Sequence, residues 1–163
     1  LELGMGHYST PMLHYMCRLK RYLLSADSDG VWIKQFEGYK NQFWHDIEWV
    51  PDWARWPMIE YGGPGRAGSA ELSDMSWGVA LVDCAPGEAR YELADRLRTR
   101  CEFVICHDSE KDYGAGGNYM YEKITPNFKY VTEFRRYRPY TLILSDFTKF
   151  EIEECDRTWK PRT

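Results

Sequence analysis

The chain has 163 residues, of which 44% are hydrophobic and 16% aromatic, with a formal net charge of -4; that is enough for one buried core and one domain, 1–163. The charge is spread out with no long basic tract, so a nucleic-acid backbone is not an expected partner. No apolar run reaches the roughly 18 residues of a membrane span and no charged-then-apolar leader is visible, so a soluble, cytoplasmic protein is expected, without a membrane partner.

Residues 1–11 (LELGMGHYSTP) run from an apolar strand into a glycine turn, with Ser9 and Thr10 placed to cap a helix and Pro11 in its first turn. That helix should reach about Arg18. Residues 21–27 (RYLLSAD) read as a short strand, and residues 29–39 carry Val31, Trp32, Gln35, Phe36 and Tyr39 at helical spacing. Residues 44–50 alternate as a third strand, broken by Pro51-Asp52-Trp53, and residues 57–76 form a loop excursion rich in glycine. Residues 77–83 (WGVALVD) form an apolar strand ending in an acid. A helix over 86–97 and a buried strand over 101–107 (CEFVICH) follow. The runs 128–136 and 140–145 are separated only by a short link, which predicts an antiparallel hairpin at the end of a parallel sheet. Cys17, Cys84, Cys101, Cys106 and Cys155 make no CxxC pair or CxxH cluster, so reduced, mostly buried thiols are expected.

Strand-helix alternation closed by a hairpin predicts an α/β fold, a three-layer Rossmann-like sandwich with a mostly parallel sheet and a C-terminal antiparallel hairpin. Ligands of such sheets bind beyond the carboxyl ends of the strands, where this chain places Gly4, Gly6, Asp27, Asp52, Asp83, His107 and Asp108. In Glu2-x-Gly4-x-Gly6 the glycines let a ligand approach the backbone. The third glycine of a dinucleotide fingerprint is replaced by Ser9 and no G-K-[ST] loop is present, which disfavours a pyrophosphate ligand and a nicotinamide oxidoreductase. Asp27 stands where an acid can accept both ribose hydroxyls of a nucleoside; the competing reading makes it a helix N-cap.

The segments LELGMGHYSTP, YLLSAD, WGVALVDCAPGEAR and CEFVICHDSE, in this order and followed by a hairpin, resemble class I S-adenosylmethionine-dependent methyltransferases. The resemblance spans nearly the whole chain as an order of elements; only the first segment is a specific motif. It implies a seven-stranded sheet with an antiparallel last strand and S-adenosylmethionine as cofactor. Glu2, Gly4, Gly6 and Ser9 would lie at the cofactor turn, Asp27 on the ribose, Asp52 and Trp53 beside the adenine, and Asp83 at the pocket's edge. For Trp53 the alternative is core packing.

Asp83 and His107-Asp108 end adjacent strands and should converge. The chain is similar here to the metal-dependent small-molecule O-methyltransferases, whose corresponding acids bind a divalent cation, so Asp83 and Asp108 would hold Mg2+. Ser109 stands where that family has Asn, and no Lys follows Asp83 as its base. A metal-free reading makes His107 the general base, held by Asp83 or Asp108; in a third, His107 and Asp108 merely end the strand. Tyr8, Tyr113, Tyr119 and Tyr121 with Gly114, Gly116 and Gly117 suggest an aromatic lid, against a plain surface loop. Arg135, Arg136 and Arg138 offer a grip for an anionic substrate group, against a solvated turn. Because the chain opens inside its first strand, a fragment or a reduced version of the fold is expected. The expected function is methyl transfer to an oxygen or nitrogen of a small molecule, with a non-catalytic domain binding a nucleoside or a protein as the alternative and a homo-oligomer left open.

Overall fold

The computed structural model describes residues 1–18, 20–56, 77–110 and 119–151. Strands cover Glu2–Leu3 (β1), Leu23–Asp27 (β2), His45–Trp49 (β3), Trp77–Val82 (β4), Cys101–His107 (β5), Tyr130–Phe134 (β6) and Thr141–Ser145 (β7). They make one sheet in the order β3-β2-β1-β4-β5-β7-β6. Its first five strands pair in parallel, and β7 runs antiparallel between β5 and β6. The three-layer Rossmann-like α/β reading therefore holds. The loop excursion at 57–76, Tyr113, Gly114, Gly116, Gly117 and Cys155 lie outside the described residues.

Alternation along the strands sorts the sheet into two faces. Leu3, Leu24, Ala26, Ala80, Val82, Val104 and Cys106 belong to the main core, which the helix Ala89–Leu97 (α3) covers with Leu93, Ala94 and Leu97. Met5, Phe36 and Ile47 form a smaller cluster. The helix Ser9–Cys17 (α1) packs on β2.

The helix expected over 29–39 is one α-turn, Gly30–Ile33 (α2), followed by a 3-10 segment, Lys34–Tyr39. The 3-10 period brings Ile33, Phe36 and Tyr39, three residues apart, onto one side, and all three pack in the smaller cluster. Nor do the expected caps of α1 form: Tyr8 is its N-cap residue and makes no side-chain cap bond. Cys84, Cys101 and Cys106 are buried free thiols, and Cys17 is half-buried; burial pushes the Cys84 thiol up to about 12.

On the α1 side of β1, β2 and β3 lies a chain of buried polar groups. Gly6 N–H donates to Thr10 Oγ1 (3.0 Å), Thr10 Oγ1 donates to Glu2 Oε1 (3.0 Å), and Ser25 Oγ donates to Glu2 Oε2 (2.5 Å). Because Ser25 has one proton and gives it to Glu2, His45 Nε2 donates to Ser25 (2.8 Å). A neutral His45 then accepts at Nδ1 from His14 Nδ1–H (2.9 Å). Burial first, and His14 second, push the pKa of His45 down from 6.5 to about 4. A base with a depressed folded pKa contributes stability that is complete above about 6.5 and lost as pH falls toward 4, because the unfolded chain takes the proton first. At about 1.4 kcal/mol per pH unit the loss is roughly 3 kcal/mol. In urea denaturation at pH 7 and pH 4.5, His45→Phe should therefore show a shallower acid loss than the wild type, whatever its stability at pH 7; an unchanged slope would rule out a buried neutral His45.

Candidate functional site

The glycine turn after β1 is set by what presses on it. Gly4 has φ +93°, and its N–H donates to Ala26 O (2.8 Å). A Cβ at Gly4 would lie 2.4 Å from Asp83 C and O and 2.5 Å from Cys84 N. The end of β4 thus passes directly over the turn, and only glycine fits. Met5 N–H donates to Asp27 Oδ2 (2.8 Å), and Met5 O accepts from Trp32 Nε1 (2.7 Å).

Several predicted contact residues turn out to build the site from within. Glu2 is fully buried and its carboxylate is taken by Thr10 and Ser25, so it supports the turn rather than touching a ligand. Ser9 sits at the start of α1 with its Oγ 2.9 Å from where a Gly6 Cβ would be. Asp27 is 8% exposed, and its two oxygens accept from Met5 N–H and Asp29 N–H. It is not the cap of α2: Asp29 is, accepting from Val31 N–H and Trp32 N–H. A carboxylate has about four acceptor positions, so Asp27 retains capacity for hydroxyl donors. Asp52 caps the 3-10 turn Trp53–Arg55 and pairs with Arg55 (3.4 Å). Trp53 is a core residue, 5% exposed and edge-on to Trp56. Its indole N–H and Ser28 Oγ both donate to Ala85 O, tying the loops after β2, β3 and β4 together. Ser28, Asp52, Trp53 and Pro86 border a cleft of about 300 Å³ there.

Asp83, His107 and Asp108 do converge, around a residue that the sequence reading missed. Arg90 of α3 is 7% exposed. Its guanidinium donates to the carbonyls of Cys84 (2.8 Å), Asp83 (3.1 Å) and His107 (3.3 Å). It also pairs with Asp83 Oδ1 (2.8 Å) and Asp108 Oδ2 (3.3 Å). The Tyr119 ring lies 4.1 Å from its Cζ. Asp108 adopts a left-handed φ of +57°, uncommon for a non-glycine residue, where the chain leaves β5.

His107 Nδ1 lies 3.1 Å from Asp108 Oδ1 and 3.4 Å from Asp83 Oδ1. Its alignment with both is poor, but these close polar contacts with two carboxylates favour its protonated form. Asp108 first, and Asp83 second, push its pKa up to about 10. Burial alone would raise the pKa of Asp108, but His107 and Arg90 outweigh it and hold it below the usual carboxylate value. The four side chains form an internally neutral set of two cations and two anions. An imidazolium has no lone pair to receive a substrate proton, so the expected general-base role of His107 does not fit neutral pH.

Nor do these residues fit Mg2+. The Asp83, His107 and Asp108 ligand atoms do lie within 4.8 Å of one another, but one is an imidazole nitrogen, and magnesium favours an octahedron of oxygens. Both carboxylates already face a guanidinium held by three carbonyls, which a dication would have to displace.

The lid expectation fails for two of its tyrosines. Tyr121 is in the main core and donates its hydroxyl to His107 O (3.2 Å), and Tyr119 packs against that core. Tyr8 is 92% exposed. At the hairpin Arg135 pairs with Glu133, and the guanidiniums of Arg136 and Arg138 lie over Tyr137 and Tyr140.

The strand order and the antiparallel β7 are those of the Rossmann-like fold found in class I S-adenosylmethionine-dependent methyltransferases. Among solved structures, the chain is similar to a human methyltransferase 10 domain containing protein, with 15% identity and a TM-score of 0.55 over 90% of this chain and 71% of that one. It is also similar to a delta-N METTL16 MTase domain, with 13% identity and a TM-score of 0.54 over 90% and 74% of the two chains. At such identities the likeness is one of fold. No profile of a known protein family matches the sequence, and no curated protein is similar to it.

Proposed function

We propose that this chain is an S-adenosylmethionine-dependent methyltransferase acting on an oxygen or nitrogen of a small molecule. The observation that carries the reading is the Gly4 turn, tied to Asp27 on one side and pressed by the end of β4 on the other; a cleft of about 300 Å³ lies between Ser28, Asp52, Trp53 and Pro86, in the loops after β2, β3 and β4. The turn, Asp27, Ser28 and Asp52 would hold the cofactor, which supplies a methyl group already activated on a sulfonium. The chain's own task is then alignment. Asp83 and His107 are each about one-third exposed at their side chains, 31% and 36%, and reachable by an acceptor, whereas Arg90 at 9% is not. Asp83 would accept a hydrogen bond from the acceptor's hydroxyl or amine and take up the proton released on methylation, and Arg90 would fix its orientation. A non-catalytic domain binding a nucleoside is the second reading, favoured by the pairing of both carboxylates with Arg90.

Calorimetry with S-adenosylmethionine tests the cofactor. Asp27→Ala should weaken binding by about 1 to 3 kcal/mol, the range for hydrogen bonds to a charged group. No binding to the wild-type protein would remove the methyltransferase reading; binding without methyl transfer to any hydroxyl or amine would leave the second.

A further inference from the structure

The helix α1 carries its apolar side chains on the face away from the sheet. Thr10 and His14 are buried, whereas Tyr8, Met12, Tyr15 and Met16 are 92%, 52%, 57% and 68% exposed. Spaced at i, i+4, i+7 and i+8, these four share one outward side. No residue from Ser9 to Cys17 is charged, so this side offers water little beyond two phenol hydroxyls. Phe43, 40% exposed, extends the stripe past His14, whose ring it meets at 5.4 Å. Phe43 and the exposed Trp44 hold left-handed φ of +52° and +63°, uncommon for bulky residues and typical of strain kept at recognition sites.

At about 200 Å² for a fully exposed side chain of this size, the four helix residues and Phe43 leave roughly 600 Å² open, the top of the range for a typical monomer. We infer that this face joins two copies of the chain, α1 against α1. Doubled, the area is about 1,200 Å², the lower bound of a specific interface, and Trp44 beside Phe43 adds to it. A two-fold pair sets each patch against itself, so a charge near the axis would meet its own copy; the stripe has none around Met12, its midpoint. With the axis at Met12 the helices run antiparallel. Tyr8 of one copy then meets Met16 of the other, and the basic residues Arg18, Lys20 and Arg21, all past one end of α1, stay apart. Tyrosine and methionine are also residues that interface centres favour. The pairing does not depend on methyl transfer.

Sedimentation velocity on the full chain over about 1 to 100 µM brackets the micromolar dimer that an interface of this size predicts. The mass should rise toward twice that of one chain, and high salt should not reverse it, because salt screens charges rather than apolar contacts. Met12→Glu sets two carboxylates at the axis and should raise the dissociation constant roughly tenfold or more; Met16→Lys serves if that variant does not fold. Phe147→Glu, at an exposed residue after β7 in the other half of the sheet, should leave the constant unchanged. A monomer at every concentration, association lost in high salt, a dimer that both stripe variants leave intact, or equal weakening by the Met12 and Phe147 variants would overturn the inference. A monomer that pellets with anionic vesicles would overturn it too, in favour of a membrane-facing stripe.

Discussion

Arg90→Met should destabilise the protein by about 3 to 5 kcal/mol, the loss seen when one partner of a buried ion pair is removed. Methionine has a similar length and fills the space, so packing is largely kept and the effect isolates the guanidinium. Three carbonyls, those of Asp83, Cys84 and His107, lose their donor, and the Asp83 and Asp108 carboxylates lose the cation between them. For a domain of this size the melting temperature should fall by roughly 10 °C. Arg90→Lys keeps the charge but not the planar fork that reaches both strand ends, so its loss should fall between. Thermal and urea denaturation of the three proteins decide the matter. A methionine variant within about 0.5 kcal/mol of wild type would mean that Arg90 does not hold the ends of β4 and β5, since changes of that size are ordinary for surface sites.

Arg90 also shows why part of the site was hidden in the sequence. Apolar runs such as Trp77–Val82 and Cys101–His107 announce strands because hydrophobic content is a local property of composition, and the latter strand has the predicted bounds; the expectation of burial holds only in part, since Gly78, Val79 and Glu102 are exposed. The hairpin was legible for the same reason, together with its short link. An arginine in a helix, by contrast, usually marks the solvated face. Yet Arg90 stands three, four and seven residues before Leu93, Ala94 and Leu97, all core residues, so it occupies the first position of the buried stripe. That spacing, seven residues after the acid closing β4, was the available signal.

Glu2 and Asp27 illustrate a different limit. Their places at strand ends were readable, but whether a carboxylate there faces a ligand or its own backbone depends on how the neighbouring loop folds back. Here Thr10, Ser25, Met5 and Asp29 supply the donors.

Gly4→Ala should cost about 2 to 5 kcal/mol, a large share of the 5 to 15 kcal/mol that holds a typical domain together. Two terms add. A Cβ in the left-handed region costs about 1 to 2 kcal/mol, and Gly4 sits at φ +93°. The new methyl would also overlap Asp83 C and O at 2.4 Å and Cys84 N at 2.5 Å. These are backbone atoms, which cannot swing away as a side chain does, and an overpacked site of this kind costs about 1 to 3 kcal/mol. The turn cannot drift to relieve the clash, because Gly4 N–H is bonded to Ala26 O and Met5 N–H to Asp27. Gly6→Ala is the internal control: its φ lies outside the left-handed region, and its Cβ would meet only the Ser9 hydroxyl at 2.9 Å, which can rotate. Its loss should be about 1 kcal/mol or less, within the usual range for helix and turn glycines. The contrast is read in stability alone, because Gly6 belongs to the turn proposed to hold the cofactor. Equal losses of stability at the two glycines would mean that β4 does not press on the turn at Gly4.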